Sequence, residues 1–221
     1  MVRRPDHPYW YNWAGWHLYH RHRKPKAAKR RAAWEFINLV RKAPPGAIAI
    51  DCGANVGNVT AALVRCGYEV YAFEPDPLAF SALQKRFAGR KDVHPEPYAV
   101  GTQNTTQKLY RSVTYATDPL GATIRSTLRP WDTTDAVDVK VIDLLAFIRD
   151  LGRPVHLLKM DIEGSEVEIL ERLLDEGLDR QIPRIYVETH ERFSDDLAVR
   201  TARVRERVKA GNLRNINLDW F

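Results

Sequence analysis

The chain contains 221 residues, of which 44% are hydrophobic and 28% are charged, and its formal net charge is +6. These values are ordinary for a soluble protein and predict one domain with ample length for a hydrophobic core. Its two cysteines exclude a disulfide framework, and no apolar stretch has the length of a transmembrane helix or the form of a signal peptide. We therefore expect a reducing, cytoplasmic location.

The positive charge is concentrated at the N-terminus. Residues 1–33 contain nine Lys or Arg and one Asp, which gives +8 and leaves 25 − 27 = −2 for the rest of the chain. Six Trp or Tyr residues and four of the seven histidines are interleaved with these cations. The pattern predicts a basic, aromatic N-terminal arm over residues 1–31, followed by a folded domain over residues 32–221.

Cations interleaved with aromatic rings suit an anionic surface. A membrane or glycolipid surface is the preferred partner of the arm, which would place the protein at the periphery of a membrane, and nucleic acid is the less preferred one. The alternative is that the rings pack on the domain while the cations stay in water. The sequence predicts no oligomeric state.

Strands and helices alternate through the first part of the domain. Apolar residues at helical spacing predict a helix over residues 32–42, which a Pro-Pro-Gly sequence ends. The following predictions, in order, are a strand at 47–53, a helix at 58–66, a strand at 69–73, a helix at 77–88 opened by Asp76 and Pro77, and a third strand in the later part of 92–100.

Residues 107–140 differ, because Thr, Tyr and Val alternate there with scattered turn residues, and they predict a short β-rich insertion. Ligands bind beside such loops in open α/β sheets, so we expect residues 102–136 to set the choice of acceptor. Alternation resumes with a helix at 143–151, a strand at 155–160, a helix at 165–174 capped by Ser165, a strand at 184–188, a helix at 195–209 and an edge strand at 215–221. This order predicts an α/β fold with a doubly wound, mostly parallel, Rossmann-like sheet.

The first strand runs into a motif that indicates a nucleoside-type cofactor. Residues 49–57 read Ala-Ile-Asp-Cys-Gly-Ala-Asn-Val-Gly, and the next strand ends in Glu74. Such parts form a nucleoside-binding βαβ unit. Asn55 and Asn58 stand where a dinucleotide fingerprint needs its second and third glycines, and no P-loop sequence follows.

Asp51 narrows the choice of cofactor. A carboxylate before the turn would repel a pyrophosphate, but it suits the ammonium of an amino-acid group. S-adenosyl-L-methionine carries that ammonium, a sulfonium and an adenosine, and it has no phosphate, so we predict it as the cofactor. The alternative is an ordinary strand–turn–helix unit that binds no cofactor.

Six residues are the predicted cofactor contacts: Asp51, Gly53, Asn55, Gly57, Glu74 and Ala99. The two glycines let the backbone approach the ligand closely. The Asn55 amide is expected at the amino-acid end, and Glu74 is expected to accept hydrogen bonds from the ribose hydroxyls. Ala99, with Tyr98 and Val100, is expected to border the adenine.

Three segments carry a family resemblance: Ile50-Asp51-Cys52-Gly53-Ala54-Asn55-Val56-Gly57, Phe73-Glu74-Pro75 and Leu158-Lys159-Met160-Asp161-Ile162-Glu163-Gly164-Ser165-Glu166. Together they resemble the FkbM family of S-adenosylmethionine-dependent class I methyltransferases, over a span from about Pro45 to about Glu191. The resemblance implies O-methylation, commonly of sugar or natural-product hydroxyls. We therefore expect a small-molecule or glycan hydroxyl as the acceptor.

Three residues at the ends of later strands are the candidates for catalysis. Asp161 follows the strand at 155–160, and Glu188 and His190 lie at the end of the strand at 184–188. The carboxyl ends of parallel strands meet at one edge of a sheet, which places these side chains near the cofactor. His190 is the predicted base, because its side chain titrates nearest to neutral pH. The same three residues are an alternative Mg²⁺ or Mn²⁺ site.

The neighbouring charged residues receive supporting roles. Glu163 and Glu166 are expected to favour the dipole at the start of the helix that follows. Lys159 is a cation inside a central strand and needs a partner, so we expect it to orient Asp161 or an acid on a neighbouring strand.

The predicted function is O-methylation of a hydroxyl on a saccharide, a glycolipid or a related small metabolite. The alternatives are an RNA-directed ribose O-methyltransferase that uses the arm, and a cofactor-binding module without catalysis. Methylation of nucleic-acid bases is disfavoured. Asp161 and the three residues after it do not form the Asn/Asp-Pro-Pro-aromatic motif of base amino-methylating enzymes, and neither cysteine follows a proline.

Overall fold

The computed structural model describes residues 46–111 and 135–220, together with Phe36, Asn38, Val40, Arg41, Pro44, Thr123 and residues 126–128. The predicted arm, residues 1–31, lies outside the described residues, as does most of the predicted insertion. The strands and α-helices follow in the order β1 Ile48–Cys52, α1 Asn58–Arg65, β2 Glu69–Phe73, α2 Pro77–Arg86, β3 Val93–Glu96, β4 Ala99–Gly101, β5 Thr105–Tyr110, β6 Ala136–Asp143, α3 Leu144–Asp150, β7 Val155–Met160, α4 Glu166–Asp175, β8 Arg184–Val187, α5 Asp195–Ala210 and β9 Ile216–Asn217.

The main sheet has six strands in the order β3-β2-β1-β7-β8-β9. Each neighbouring pair is parallel. From the central pair, β1 and β7, the chain adds strands outward in opposite directions. A topological switch point therefore lies between β1 and β7, and a ligand crevice is expected outside their carboxyl ends. This topology confirms the predicted doubly wound α/β fold.

The third strand departs from the prediction. It was expected in the later part of residues 92–100, but β3 comprises Val93–Glu96 and pairs with β2 at the edge of the main sheet. Pro97 follows β3 and has no N–H to continue the ladder. The later residues form β4, which pairs with β6 in a second sheet of order β4-β6-β5. The antiparallel pair β5–β6 confirms the predicted β-character at the two ends of the insertion.

The side chains of the central strands alternate between two hydrophobic cores. Ile48, Ile50 and Cys52 of β1 pack in one core with residues of α3, α4 and α5. Ala49 points into the opposite core, which contains α1, α2 and the helical residues Phe36 and Val40. In this second core the ring of Phe36 contacts those of Tyr186 and Trp220, with centroids 5.1 and 4.5 Å away. The residues before β1 and those after β9 are thus joined on one face of the sheet.

Two helix starts were predicted, and one is confirmed. Asp76 caps α2, because its carboxylate accepts hydrogen bonds from the N–H groups of Leu78 and Ala79 at 2.9 and 3.3 Å. Ser165 precedes α4 but makes no capping hydrogen bond, so that prediction is wrong. Its backbone has φ −100° and ψ 2°, whereas a capping residue usually adopts the extended β conformation.

A buried lysine joins the two central strands. Lys159 of β7 is 2% exposed, and its Nζ lies 3.1 Å from Asp51 Oδ1 and 3.9 Å from Asp161 Oδ2. The ammonium also donates hydrogen bonds to the carbonyls of Cys52 and Gly53. Asp51 is fully buried, and its second oxygen accepts a 2.6 Å hydrogen bond from Thr60 on α1. These contacts confirm that Lys159 needs acidic partners.

Within the described residues, no helix is both long and apolar enough to cross a membrane.

Replacing Lys159 should destabilise the fold strongly. We expect Lys159→Met to lower the free energy of unfolding by about 3–5 kcal/mol, because it leaves the Asp51 carboxylate buried without its counter-ion. The measurement is urea unfolding followed by circular dichroism. Lys108→Met removes an exposed pair with Asp138 and is the matched control, with an expected change below about 1 kcal/mol. Equal effects of the two substitutions would contradict the role of the buried pair.

Candidate functional site

A pocket opens at the carboxyl edge of the main sheet, at the switch point between β1 and β7. Three parts of the chain form its wall. The segments after β1 and at the end of β2 contribute Gly53, Asn55, Phe73, Glu74 and Pro75. The second sheet and the insertion contribute Tyr98, Ala99, Val100, Leu109, Thr123, Ser126 and Leu128. The turn after β7 contributes Asp161, Ile162, Glu163 and Ser165. Four of the six predicted cofactor contacts therefore line this pocket.

Glu74 is held firmly at the end of β2. Its side chain is buried, and its two oxygens accept hydrogen bonds from the backbone N–H groups of Asn55 and Asp76, each at 2.8 Å. Burial raises the pKa of Glu74 to about 7, although the two backbone donors act in the opposite direction. Each carboxylate oxygen has a further lone pair, so Glu74 can accept hydrogen bonds from a ligand as well.

Asn55 adopts a left-handed backbone conformation, with φ +51°, which asparagine tolerates better than most residues. Its side-chain amide donates a 2.8 Å hydrogen bond to Thr123 Oγ1 in the insertion. The amide was expected at the amino-acid end of the cofactor. The structure places Asn55 on the pocket wall between Glu74 and the insertion, where it joins the two, and the contact with the cofactor stays a prediction.

Asp51 does not line the pocket. Its carboxylate points into the protein toward Lys159 and Thr60, as described above. The expected contact with an ammonium group of the cofactor therefore has no support in this structure. Asp51 affects the pocket indirectly. It pairs with Lys159, and Lys159 donates hydrogen bonds to the carbonyls of Cys52 and Gly53.

The two glycines of the turn are required by the packing of the protein itself. Gly53 has φ +74°, and a Cβ placed on it would lie 1.8 Å from the carbonyl oxygen of Asp161. Gly57 has φ +82°, and a Cβ there would lie 2.5 Å from the ring of Phe87. Close approach to a ligand was the expected reason for both residues. The observed reason is close packing inside the protein, between the end of β1 and the turn after β7 at Gly53, and between α1 and α2 at Gly57.

The expected adenine contacts lie on the wall formed by the second sheet. Ala99 starts β4, and Tyr98 and Val100 flank it, all three beside the pocket. Leu109 of β5 adds a buried apolar side chain to the same wall. This part of the pocket is suited to a flat apolar ring.

The turn after β7 brings two carboxylates to a histidine. His190 Nε2 lies 3.2 Å from Glu163 Oε2 and 3.9 Å from Asp161 Oδ1. Asp161 and Glu163 line the pocket, and His190 lies behind them with 1% of its surface exposed. Among the described residues, the compact group of ligand-type atoms is Asp161, Glu163 and His190. Glu188 was expected to be the third member of this group, but the third member is Glu163.

Glu166 fixes the ring of His190. Its carboxylate accepts hydrogen bonds from the backbone N–H groups of Ile162 and Gly164 at 2.9 Å, and its Oε1 lies 2.8 Å from His190 Nδ1. Because a carboxylate that already binds two N–H groups is an acceptor, Nδ1 donates the proton. Glu166 is fully buried. Its observed role is to orient the imidazole and the turn, beyond the helix-dipole role that the sequence suggested.

His190 does not titrate near neutral pH in this arrangement. Burial alone would lower its pKa, but contact with the carboxylates of Glu163 and Glu166 outweighs burial and raises the pKa to about 10. The ring is therefore protonated at neutral pH. The expectation that His190 is poised to accept a proton assumed a solvated ring and did not include its two acidic neighbours.

Sequence reasoning missed two groups of residues at this site. Glu163 and Glu166 were expected only to favour the helix dipole, and the signal for their role was their place in the Asp-x-Glu-Gly-x-Glu pattern at residues 161–166. Thr123, Ser126 and Leu128 lie on the pocket wall without a motif that marks them. Their position was expected only from the general tendency of such insertions to border ligands.

Comparison with known proteins assigns most of this chain to one family. The profile of the methyltransferase FkbM domain matches residues 51–212, which include the glycine turn, Glu74 and the acidic turn after β7. A curated relative, the 31-O-demethyl-FK506 methyltransferase FkbM of Streptomyces tacrolimicus, is 28% identical over 174 residues. The aligned region covers 66% of this chain and 66% of the relative, just under two thirds of each. Because the family profile matches well over half of the chain, the protein belongs to the FkbM family.

Proposed function

We propose that this protein transfers the methyl group of S-adenosylmethionine to a hydroxyl of a saccharide, a glycolipid or a related small metabolite. The observation that carries the proposal is the layout of the pocket. Glu74 follows β2, whereas Asp161 and Glu163 follow β7 on the other side of β1, and all three line the pocket. One pocket thus offers an acceptor for ribose hydroxyls and, across from it, acceptors for the proton of a substrate hydroxyl.

The cofactor is proposed to lie along the glycine turn. Its ribose hydroxyls donate to Glu74, and its adenine packs on Ala99 and the neighbouring apolar wall. The backbone between Gly53 and Asn55 is held by Lys159 and by Glu74, so this surface is organised before a ligand arrives. Preorganisation of this kind lowers the entropic cost of bringing donor and acceptor together.

The chemistry is a displacement at the methyl carbon. The acceptor oxygen attacks that carbon while the bond to sulfur breaks, the sulfur leaves as a neutral thioether, and the hydroxyl proton must depart. Asp161 and Glu163 are the anionic groups on the pocket wall at this side, so we assign the uptake of the proton to one of their oxygens. His190, protonated behind them, positions both carboxylates through its charge.

Transfer to oxygen is supported by the relative. Its name describes methylation of an oxygen that is unmethylated in 31-O-demethyl-FK506. The class of acceptor, a saccharide or related metabolite, is the part of the proposal that rests on family resemblance alone.

A labelling experiment tests the proposal as a whole. The full chain is incubated with methyl-labelled S-adenosylmethionine and a fractionated extract of the source cells, with Glu74→Ala as the inactive control. We expect label in the glycan, lipid or small-metabolite fraction. Label in RNA would contradict the proposed acceptor and favour an RNA ribose methyltransferase. Absence of cofactor binding by the wild-type protein would overturn the whole proposal.

The affinity for the cofactor should depend on pH through Glu74. The ionised carboxylate accepts from ribose hydroxyls better than the protonated one, and the raised pKa of about 7 puts the change near neutrality. We expect affinity to fall as pH decreases from about 8 to about 6, measured by isothermal titration calorimetry. Glu74→Ala should weaken binding strongly and remove this pH step. A step that persists in the variant would show that another group causes it.

His190 should affect turnover more than cofactor binding. We expect His190→Gln to lower kcat by about 100-fold, because the two carboxylates lose the cation that positions them, while the Kd for the cofactor changes by less than about threefold. His94→Gln is the matched control, since His94 pairs with Glu69 and stacks on Tyr71 outside the pocket. Unimpaired turnover in His190→Gln would remove this residue from the mechanism.

A further inference from the structure

The cluster of Asp161, Glu163 and His190 has the composition of a cation site. One ligand atom from each residue lies within 4.8 Å of the others. Two carboxylates and one imidazole are ligands that Mg²⁺ and Mn²⁺ accept. Acidic residues often gather at turns and helix starts, so the two carboxylates alone would not indicate a bound cation. The hydrogen bonding of the two His190 ring nitrogens is therefore the deciding observation.

His190 supplies an independent indication. Its Nε2 is buried and has no hydrogen-bond partner with proper geometry among the described residues, although it faces Glu163 and Asp161. Its Nδ1 is held by Glu166 at 2.8 Å. Metal-binding histidines characteristically donate one ring N–H to a carboxylate and direct the other nitrogen at the ion. His190 has this arrangement, and a bound ion would take the place of the proton on Nε2.

The distances fit one small ion with minor adjustment. Two ligands about 2.1 Å from the same ion are about 3.0 Å apart when adjacent and about 4.2 Å apart when opposite. The observed distances from Nε2 are 3.2 Å to Glu163 and 3.9 Å to Asp161. A cation placed among the three atoms would thus need only small movements of the two partly exposed carboxylates.

The backbone of the turn is shaped to hold Glu163 in this position. Glu163 has φ +59°, a conformation that non-glycine residues seldom adopt outside special sites. Its carbonyl accepts a 2.6 Å hydrogen bond from Thr127 Oγ1 of the insertion, and the next residue, Gly164, donates its N–H to Glu166. The turn is therefore fixed from both sides, which preorganises the carboxylate beside His190.

We propose that Asp161, Glu163 and His190 bind a divalent cation of the Mg²⁺ or Mn²⁺ class, with Glu166 orienting His190. The ion would lie at the pocket wall where the acceptor hydroxyl is expected. When bound, such an ion polarises an oxygen ligand and makes its proton easier to remove. This use of the ion rests on the proposed function, whereas the binding of the ion does not.

Binding of Mn²⁺ to the full chain tests the site directly. Equilibrium dialysis and the loss of the free-Mn²⁺ electron paramagnetic resonance signal give the affinity and the stoichiometry. We expect one Mn²⁺ per chain, displaced by excess Mg²⁺. Pulsed electron paramagnetic resonance of Mn²⁺ bound to the wild-type protein should detect coupling to one histidine nitrogen. This measurement does not depend on the folding of a variant. Absence of one-to-one binding, or of the nitrogen coupling, would overturn the proposal.

Substitutions then distinguish the proposed ligands from nearby acids. Glu163→Gln and His190→Gln should weaken Mn²⁺ binding at least about tenfold, and Glu166→Gln should weaken it by about 10- to 100-fold. Glu168→Gln is the matched control, since Glu168 is a half-exposed acid on the same helix paired with Arg200. Glu188→Gln tests the ligand predicted from the sequence and should leave the affinity within about twofold. Equal losses in Glu163→Gln and Glu168→Gln would indicate only general attraction by negative charge.

The site and the proposed function can fail separately. Cofactor binding, measured without added metal, reports on the fold and on the methyltransferase pocket. Methyl transfer that proceeds fully after chelation, in a protein that binds no Mn²⁺, would overturn the cation site and leave the proposed function standing. Stoichiometric Mn²⁺ binding by a protein that binds no cofactor would overturn the proposed function and leave the cation site standing.

Discussion

The buried ammonium of Lys159 is the interaction on which the rest of the site depends. It lies between the two central strands, pairs with Asp51 and binds the carbonyls of Cys52 and Gly53. A cation in an apolar core is costly unless its charge and its donors are satisfied, so the lysine fixes the position of everything it contacts. The glycine turn consequently lies against the turn after β7, at the contact that excludes a side chain on Gly53.

The two sides of the pocket are rigid for different reasons. On the proposed cofactor side, Glu74 is held by two backbone N–H groups, and burial of its carboxyl group raises the pKa against the effect of these donors. On the side proposed for the acceptor, the turn after β7 is held by Glu166 and by Thr127. Asn55 and Thr123 join the two sides through the insertion. A ligand therefore meets a surface in which the carboxylate of Glu74, the amide of Asn55 and the backbone of Glu163 are already held by partners.

One contact decides the chemical character of His190. Because Nδ1 donates a hydrogen bond to Glu166, the nitrogen that faces the pocket wall is Nε2. With a proton on Nε2 the ring is a cation that positions Asp161 and Glu163, and with a divalent ion in place of that proton the same atom is a ligand. In both states a positive charge neutralises the closely spaced carboxylates of a poorly solvated site.

The α/β alternation, the sheet class, the glycine turn, Glu74 and the acidic segment after β7 could all be predicted from the sequence, because they depend on local periodicity or on contiguous motifs. The directions of the side chains could not be predicted in this way. The tertiary structure directed Asp51 inward to Lys159, brought Glu163 in place of Glu188 to His190, and placed β4 in a second sheet after Pro97. These outcomes depend on pairing between residues far apart in the chain, and on the cost of burying a charge, neither of which appears in the spacing of residues along a strand.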